Sequence, residues 1–238
     1  LDGRLVFNGP VVHDFAHFGV DVRTEHFFDG LAGIAVFDFS HGEVHLATRL
    51  IETETLRRLR DHAQYDSLTF GTPMSWSSLA SWPFGMLLDN TPINFYPANG
   101  SLYATSDSSY RHRVDLDSLD TLHAHNTDPI GPMGAAHPAV DTDTGEIFNY
   151  VGPNQVGFDF RNLHPSAEYL LVREWHEPSG ELQREQIGAV WAPLPWIAHS
   201  VGLTKHFAIY RILSERPTMS LDVQFLSNFL HFDRNIRS

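Results

Sequence analysis

The sequence predicts an all-β protein, and three observations carry that reading. Short runs rich in β-branched and aromatic residues recur along most of the 238 residues, each bounded by a turn signal. Only one segment has the composition of a helix, so strands dominate. The turn glycines at 42, 100, 145 and 180 are unevenly spaced, which is looser than a strict repeat and suits a propeller with unequal blades.

Taken in order, Gly33 to Phe39 and Glu43 to Leu50 flank Ser40-His41-Gly42 and read as a hairpin. Thr53 to Arg60 is the helix, with Thr53 as its cap and Glu, Leu and Arg as good helix formers. Pro92 to Tyr96 and Ser101 to Thr105 flank Ala98-Asn99-Gly100, where Asn-Gly is the strongest short turn signal. Glu146 to Val151 follows Thr144-Gly145, and Glu168 to His176 and Glu181 to Ala192 flank Pro178-Ser179-Gly180. No linker or low-complexity stretch divides the chain, so one domain over residues 1–238 is expected. These local signals fit a β-sandwich as well as a β-propeller.

Composition narrows the function. Apolar residues at 42% and charged residues at 19% fit a globular protein. No run of about 18 apolar residues is present to form a membrane-spanning helix. The start at Leu1 without Met, with the end at Ser238, suggests a piece of a longer protein. The absence of cysteine excludes disulfides and thiolate metal sites and is compatible with a cytoplasmic protein. The net charge of −13, with Lys205 the single lysine, argues against nucleic acid, whose binding needs a basic stripe.

Two histidines stand in distinctive contexts. His137 lies in Ala136-His137-Pro138, where the proline biases it towards an extended conformation. His199 opens His199-Ser200-Val201-Gly202-Leu203-Thr204, between the strand-like Trp196-Ile197-Ala198 and Phe207-Ala208-Ile209-Tyr210. A neutral imidazole is a common ligand for iron, copper and zinc, so two on a rigid β scaffold are half of an all-histidine metal site. Without further context, each reads more readily as a histidine satisfied by its surroundings than as a ligand: His137 by backbone bonds in a loop, His199 within packed β structure.

Further motifs supply that context. Gly3-Arg4-Leu5-Val6-Phe7-Asn8-Gly9-Pro10, His26-Phe27-Phe28-Asp29-Gly30, Phe37-Asp38-Phe39, Phe70-Gly71-Thr72 and Asp89-Asn90-Thr91 precede the two histidine contexts. In that order the set resembles the N-terminal half of the carotenoid cleavage oxygenases, most closely the animal-type branch of β-carotene dioxygenase and retinoid isomerohydrolase. Phe7 departs from the pattern, which has Arg there.

The resemblance implies an incomplete seven-bladed β-propeller and an Fe(2+) cofactor held by four histidines, the first two matching His137 and His199. It sets Asp107, in Tyr103-Ala104-Thr105-Ser106-Asp107, where the family has a Glu that orients a ligand histidine. Aspartate is one methylene shorter, so a contact there calls for a backbone shift or a bridging water. Ser106-Asp107-Ser108 also reads as a plain turn. His231 follows His199 too closely for the family's third ligand and reads as a surface histidine. Trp76, Trp82 and Phe84 match a region beside a greasy tunnel mouth, which implies peripheral membrane contact; they read as well as packed core.

The activity implied is that of a non-haem Fe(2+) dioxygenase, which cleaves a carbon–carbon double bond of a carotenoid or apocarotenoid with O2 to give aldehydes. Isomerohydrolase action on a retinyl ester uses a similar scaffold. A second reading is a non-catalytic hydrophobe-binding or interaction protein on the same scaffold. A zinc hydrolase is a remote third: the chain has no His-Glu-x-x-His or Gly-x-Ser-x-Gly motif.

Overall fold

The computed structural model describes residues 2–63, 65, 72, 89–126, 133–161, 163–193, 198–205, 207–211 and 229–233. Trp76, Trp82 and Phe84 lie outside the described residues, as do Trp196 and Ile197. The described residues form four antiparallel sheets of three or four strands, and each sheet is a meander of strands that follow one another in the chain. The chain divides into two compact units, one of Leu1–Ser106 with Tyr110–Asn126 and one of Asp107–Ser109 with Thr127–Ser238.

In the first unit, β1 (Gly3–Val12), β2 (Leu31–Ser40) and β3 (Glu43–Leu50) form one sheet. β4 (Asn94–Ala98), β5 (Ser101–Thr105), β6 (Tyr110–Val114) and β7 (Thr121–Asn126) form the next. Both anticipated hairpin turns are two-residue turns with positive φ at each position: 51° and 81° at His41-Gly42, 47° and 71° at Asn99-Gly100. That geometry matches the twist of the flanking strands. The single α-helix, α1 (Glu54–His62), is capped by the Thr53 hydroxyl, which accepts from the Leu56 N–H at 3.0 Å. Leu56 and Leu59 are buried against Phe15, Val20 and Leu31. The Tyr-Arg-His-Arg-Val sequence of β6 looks too polar for a strand interior, yet Arg111 and His112 are fully buried there.

In the second unit, β8 (Ala139–Val140), β9 (Ile147–Asp159), β10 (His164–His176) and β11 (Leu182–Pro193) make a sheet of order β11-β10-β9-β8. β9 and β10 run well past the stretches read from sequence, because Pro153 to Asp159 alternates weakly and gives little strand signal. β12 (Val201–Leu203), β13 (Phe207–Arg211) and β14 (Phe229–Asp233) make the last sheet. His231 lies on β14, opposite Ile209. The core of this unit interleaves Tyr150, Tyr169 and Tyr210 with Ala135, Ala167, Ala198 and Ala208, small residues that leave room for the broad rings, and Tyr150 meets Tyr169 edge to face.

Candidate metal centre

The second unit brings together His137, His199 and Asp107. His137 lies between the end of the Met133–Ala136 segment and β8, while His199 stands just before β12. Their backbones are tied directly: the His137 N–H donates to the His199 carbonyl at 3.0 Å, and the Val201 N–H donates to the His137 carbonyl at 2.9 Å. This parallel bridge sets the two rings 4.9 Å apart between centroids, at an interplanar angle of 71°.

Asp107 reaches His199 itself. Both carboxylate oxygens lie 2.9 Å from Nδ1 of His199. A carboxylate can only accept, so Nδ1–H is the donor and the lone pair of the ring is left on Nε2. That is the tautomer a metal needs, fixed by the partner group. The hydrogen bond to Asp107 and its charge raise the His199 pKa, against the opposing effect of burial. His137 is shifted the other way: burial first, and then its neighbour His199, disfavour its charged form. Burial therefore holds His137 as neutral imidazole, the form that ligates, while Asp107 favours the charged form of His199, which would give up its Nε2 proton on binding a metal.

The donor chemistry fits a borderline divalent metal such as iron(II), with two imidazoles and an acidic group behind one of them. Among the described residues, no group of three or more His, Cys, Asp or Glu side chains converges as a cation site. Two other described histidines bond hydroxyl groups. His13 bonds the Thr24 hydroxyl at 2.7 Å, and His112 bonds the Thr91 hydroxyl at 3.0 Å.

Several residues that shape this centre carry no motif in the sequence. Gly134 lies where a side chain would press on the Ser108 carbonyl, so its lack of a Cβ lets the Asp107–Ser108 bend approach. Tyr150 is buried beneath the site; burial and the Asp107 charge raise its pKa, while the Ala198 backbone N–H opposes them. The weak signal that existed was the run of small residues Gly134-Ala135-Ala136 ahead of His137, a sign of close backbone approach.

The tip of the β9–β10 hairpin exposes two apolar side chains, Phe160 at 81% and Leu163 at 76% of full accessibility. Among the described residues, no helix is long and apolar enough to cross a membrane.

Known proteins resemble this chain along most of its length. The carotenoid isomerooxygenase of Galleria mellonella is 24% identical over 233 residues, covering 91% of this chain and 42% of that protein. The β,β-carotene 15,15′-dioxygenase of Gallus gallus is 28% identical over 161 residues, covering 63% of this chain and 30% of that protein. The chain thus spans less than half the length of these relatives. Among solved structures, the lignostilbene dioxygenase of Pseudomonas brassicacearum superimposes with a TM-score of 0.61 at 19% identity, covering 90% of this chain and 41% of that one. The cobalt-substituted apocarotenoid oxygenase of Synechocystis gives 0.62 at 20% identity, covering 89% and 43%. Likeness of that degree gives the fold, an incomplete seven-bladed β-propeller whose blades are the meander sheets described above. The family model for the retinal pigment epithelial membrane protein matches residues 1–236, and the chain belongs to that family, the carotenoid oxygenase family whose motifs it carries.

Proposed function

We propose that this chain supplies one side of a non-haem Fe(2+) centre in a dioxygenase that cleaves a double bond of a carotenoid or apocarotenoid, giving two aldehydes. The observation that carries the reading is the His137–His199 pair with Asp107 fixed on Nδ1 of His199. The names of the relatives supply the substrate class.

When bound, Fe(2+) supplies the electrons that make O2 reactive towards an alkene. The tasks left to this chain are binding and orientation. Asp107 holds the proton of His199 on Nδ1 and turns Nε2 outward; burial keeps His137 neutral. Inserting both atoms of O2 into one carbon–carbon double bond gives two carbonyls with no proton or electron left over. The chemistry therefore needs no side-chain acid or base, and the choice of bond falls to the position of the polyene.

The substrate is greasy, so we place the protein in the cytoplasm with peripheral membrane contact. The exposed Phe158, Phe160 and Leu163 support that contact, and the negative charge argues against nucleic acid as a partner. A second reading, a non-catalytic hydrophobe-binding protein on the same scaffold, draws on the presence of only two convergent donors among the described residues. The test is iron content in the intact protein. His137→Ala and His199→Ala should each remove most of the bound iron and most aldehyde formation. Full iron in both variants overturns the metal assignment; polyene binding by an iron-free wild type favours the second reading.

A further inference from the structure

Between Met133 and Ala139 the chain changes its hydrogen-bonding partner. Met133 pairs with Gly152, with its N–H 3.0 Å from the Gly152 carbonyl, and Ala139 pairs with Phe148. A continuous antiparallel ladder would keep the residues between them on β9. Instead the chain leaves β9, and His137 takes its parallel bridge to the segment His199–Val201 before β8 rejoins the sheet.

That departure leaves the buried Ala135 N–H without a ladder acceptor, an expensive state for a backbone donor. Asn149 provides the acceptor. Its side-chain Oδ1 accepts from the Ala135 N–H at 2.9 Å and from the Tyr150 N–H at 2.9 Å. The residue is fully buried on β9. Two N–H donors on Oδ1 fix which way the amide points, so Nδ2 faces Glu174, 3.5 Å from Oε2. Glu174 is itself held by Arg184, which donates at 2.9 and 2.6 Å. The Tyr210 hydroxyl donates to the Asn149 carbonyl at 3.1 Å.

We infer that Asn149 is the positioning residue for the His137 side of the centre. Its amide stands in for a ladder acceptor, sets the point at which the chain leaves β9, and so sets where the His137 ring meets His199. The inference rests on the metal-site reading above for its consequence in binding, though its structural part does not.

The test uses the intact protein, with Asn149→Leu and Asn149→Ala, and with Val172→Ala as a control. Val172 is the buried cross-strand neighbour of Asn149 on β10. Two readouts are taken: residue-resolved amide exchange at Ala135, and titration with Co(II) followed by its visible bands. In wild type the Ala135 amide should exchange as slowly as the ladder amides of β9. In both Asn149 variants it should exchange at least about tenfold faster than in Val172→Ala, and Co(II) should bind about ten- to a hundredfold more weakly, with altered bands. Fast exchange of Ala135 in wild type overturns the inference, even if a variant fails to fold. So do Asn149 variants that match Val172→Ala in both readouts. If wild type takes up no Co(II), the metal reading falls, and the exchange measurement alone decides the role of Asn149.

Discussion

Replacing Gly134 by Ala tests how tightly the Asp107 segment is seated. A Cβ built at Gly134 lies 2.9 Å from the Ser108 carbonyl oxygen and 3.4 Å from the Tyr150 carbonyl oxygen. Comfortable carbon–oxygen contact begins at about 3.3 Å, so Ser108 must retreat by roughly 0.4 Å, and both neighbours are backbone rather than flexible side chain. Asp107 precedes Ser108, and its two oxygens stand 2.9 Å from His199 Nδ1. The same retreat lengthens that bond towards about 3.3 Å, beyond the range of a strong charge-assisted hydrogen bond. Overpacking of this kind costs about 1–3 kcal/mol, or a fall in melting temperature of roughly 2–12 °C for a chain of this size. Loosening the partner of a ligand histidine should weaken metal binding by about tenfold. Thermal denaturation and Co(II) titration measure the two effects. Gly145→Ala is the comparison: Gly145 has φ of 75° and open space around its Cβ position, so it should lose about 1–2 kcal/mol from backbone strain with metal binding unchanged. Gly134→Ala with unchanged melting refutes the packing argument. A lowered melting temperature with wild-type metal binding would show that Ser108 yields without moving Asp107.

Other expectations can be checked independently. Glu54, at the start of α1, accepts from Arg57 and Arg58, and these bonds hold its pKa below the ordinary 4.5. Its contribution is present above the unfolded pKa and is lost as pH falls through the folded one. Glu54→Gln should therefore cost about 0.5 kcal/mol at pH 7 and nothing at a pH below both values, as read from denaturant melts at the two pH values. The 238-residue chain by itself, purified anaerobically with Fe(2+), should hold well under one iron per chain and form no aldehyde from a carotenoid; stoichiometric iron with sustained turnover would contradict this. Phe160→Asp should reduce sedimentation with liposomes, and lipid should change the fluorescence of Trp76 and Trp82; the absence of both effects would remove the membrane contact.

What the sequence made legible follows from the range of the forces involved. The turns at His41-Gly42 and Asn99-Gly100 and the Thr53 cap are local, set by φ preferences and a hydroxyl three residues away, and they were readable. The family motifs were readable as strings but not as physics. Asn8 donates to the carbonyls of Thr91 and Asn94, Asn90 bridges Ala32 N–H and the Gly30 carbonyl, and Asp89 accepts from Glu54 and Thr55 at the start of α1. These residues bracket the chain from a distance; they do not perform chemistry. The histidine pair was visible through its neighbours in sequence. Asn149 was not, and Gly134 showed only as part of a run of small residues, because their roles depend on the partner change between Met133 and Ala139, which local sequence does not specify. Arg111 and His112 give no local signal of their burial for the same reason: buried polar groups are identified by where their partners lie.

The buried ion pair of Glu174 and Arg184 constrains how this protein can diverge. Glu174 is wholly buried and the Arg184 side chain is 16% accessible. Losing either partner alone leaves a charge stranded in the sheet, at a cost of about 3–5 kcal/mol, whereas exchanging both for apolar groups can be nearly neutral. Lineages that depart from this pair must therefore cross a deep fitness valley or change both positions together. Residues 174 and 184 should vary as a unit among natural homologues, with charge at both or at neither, while Asn149, whose Oδ1 accepts from the Ala135 and Tyr150 N–H groups, should persist in either case.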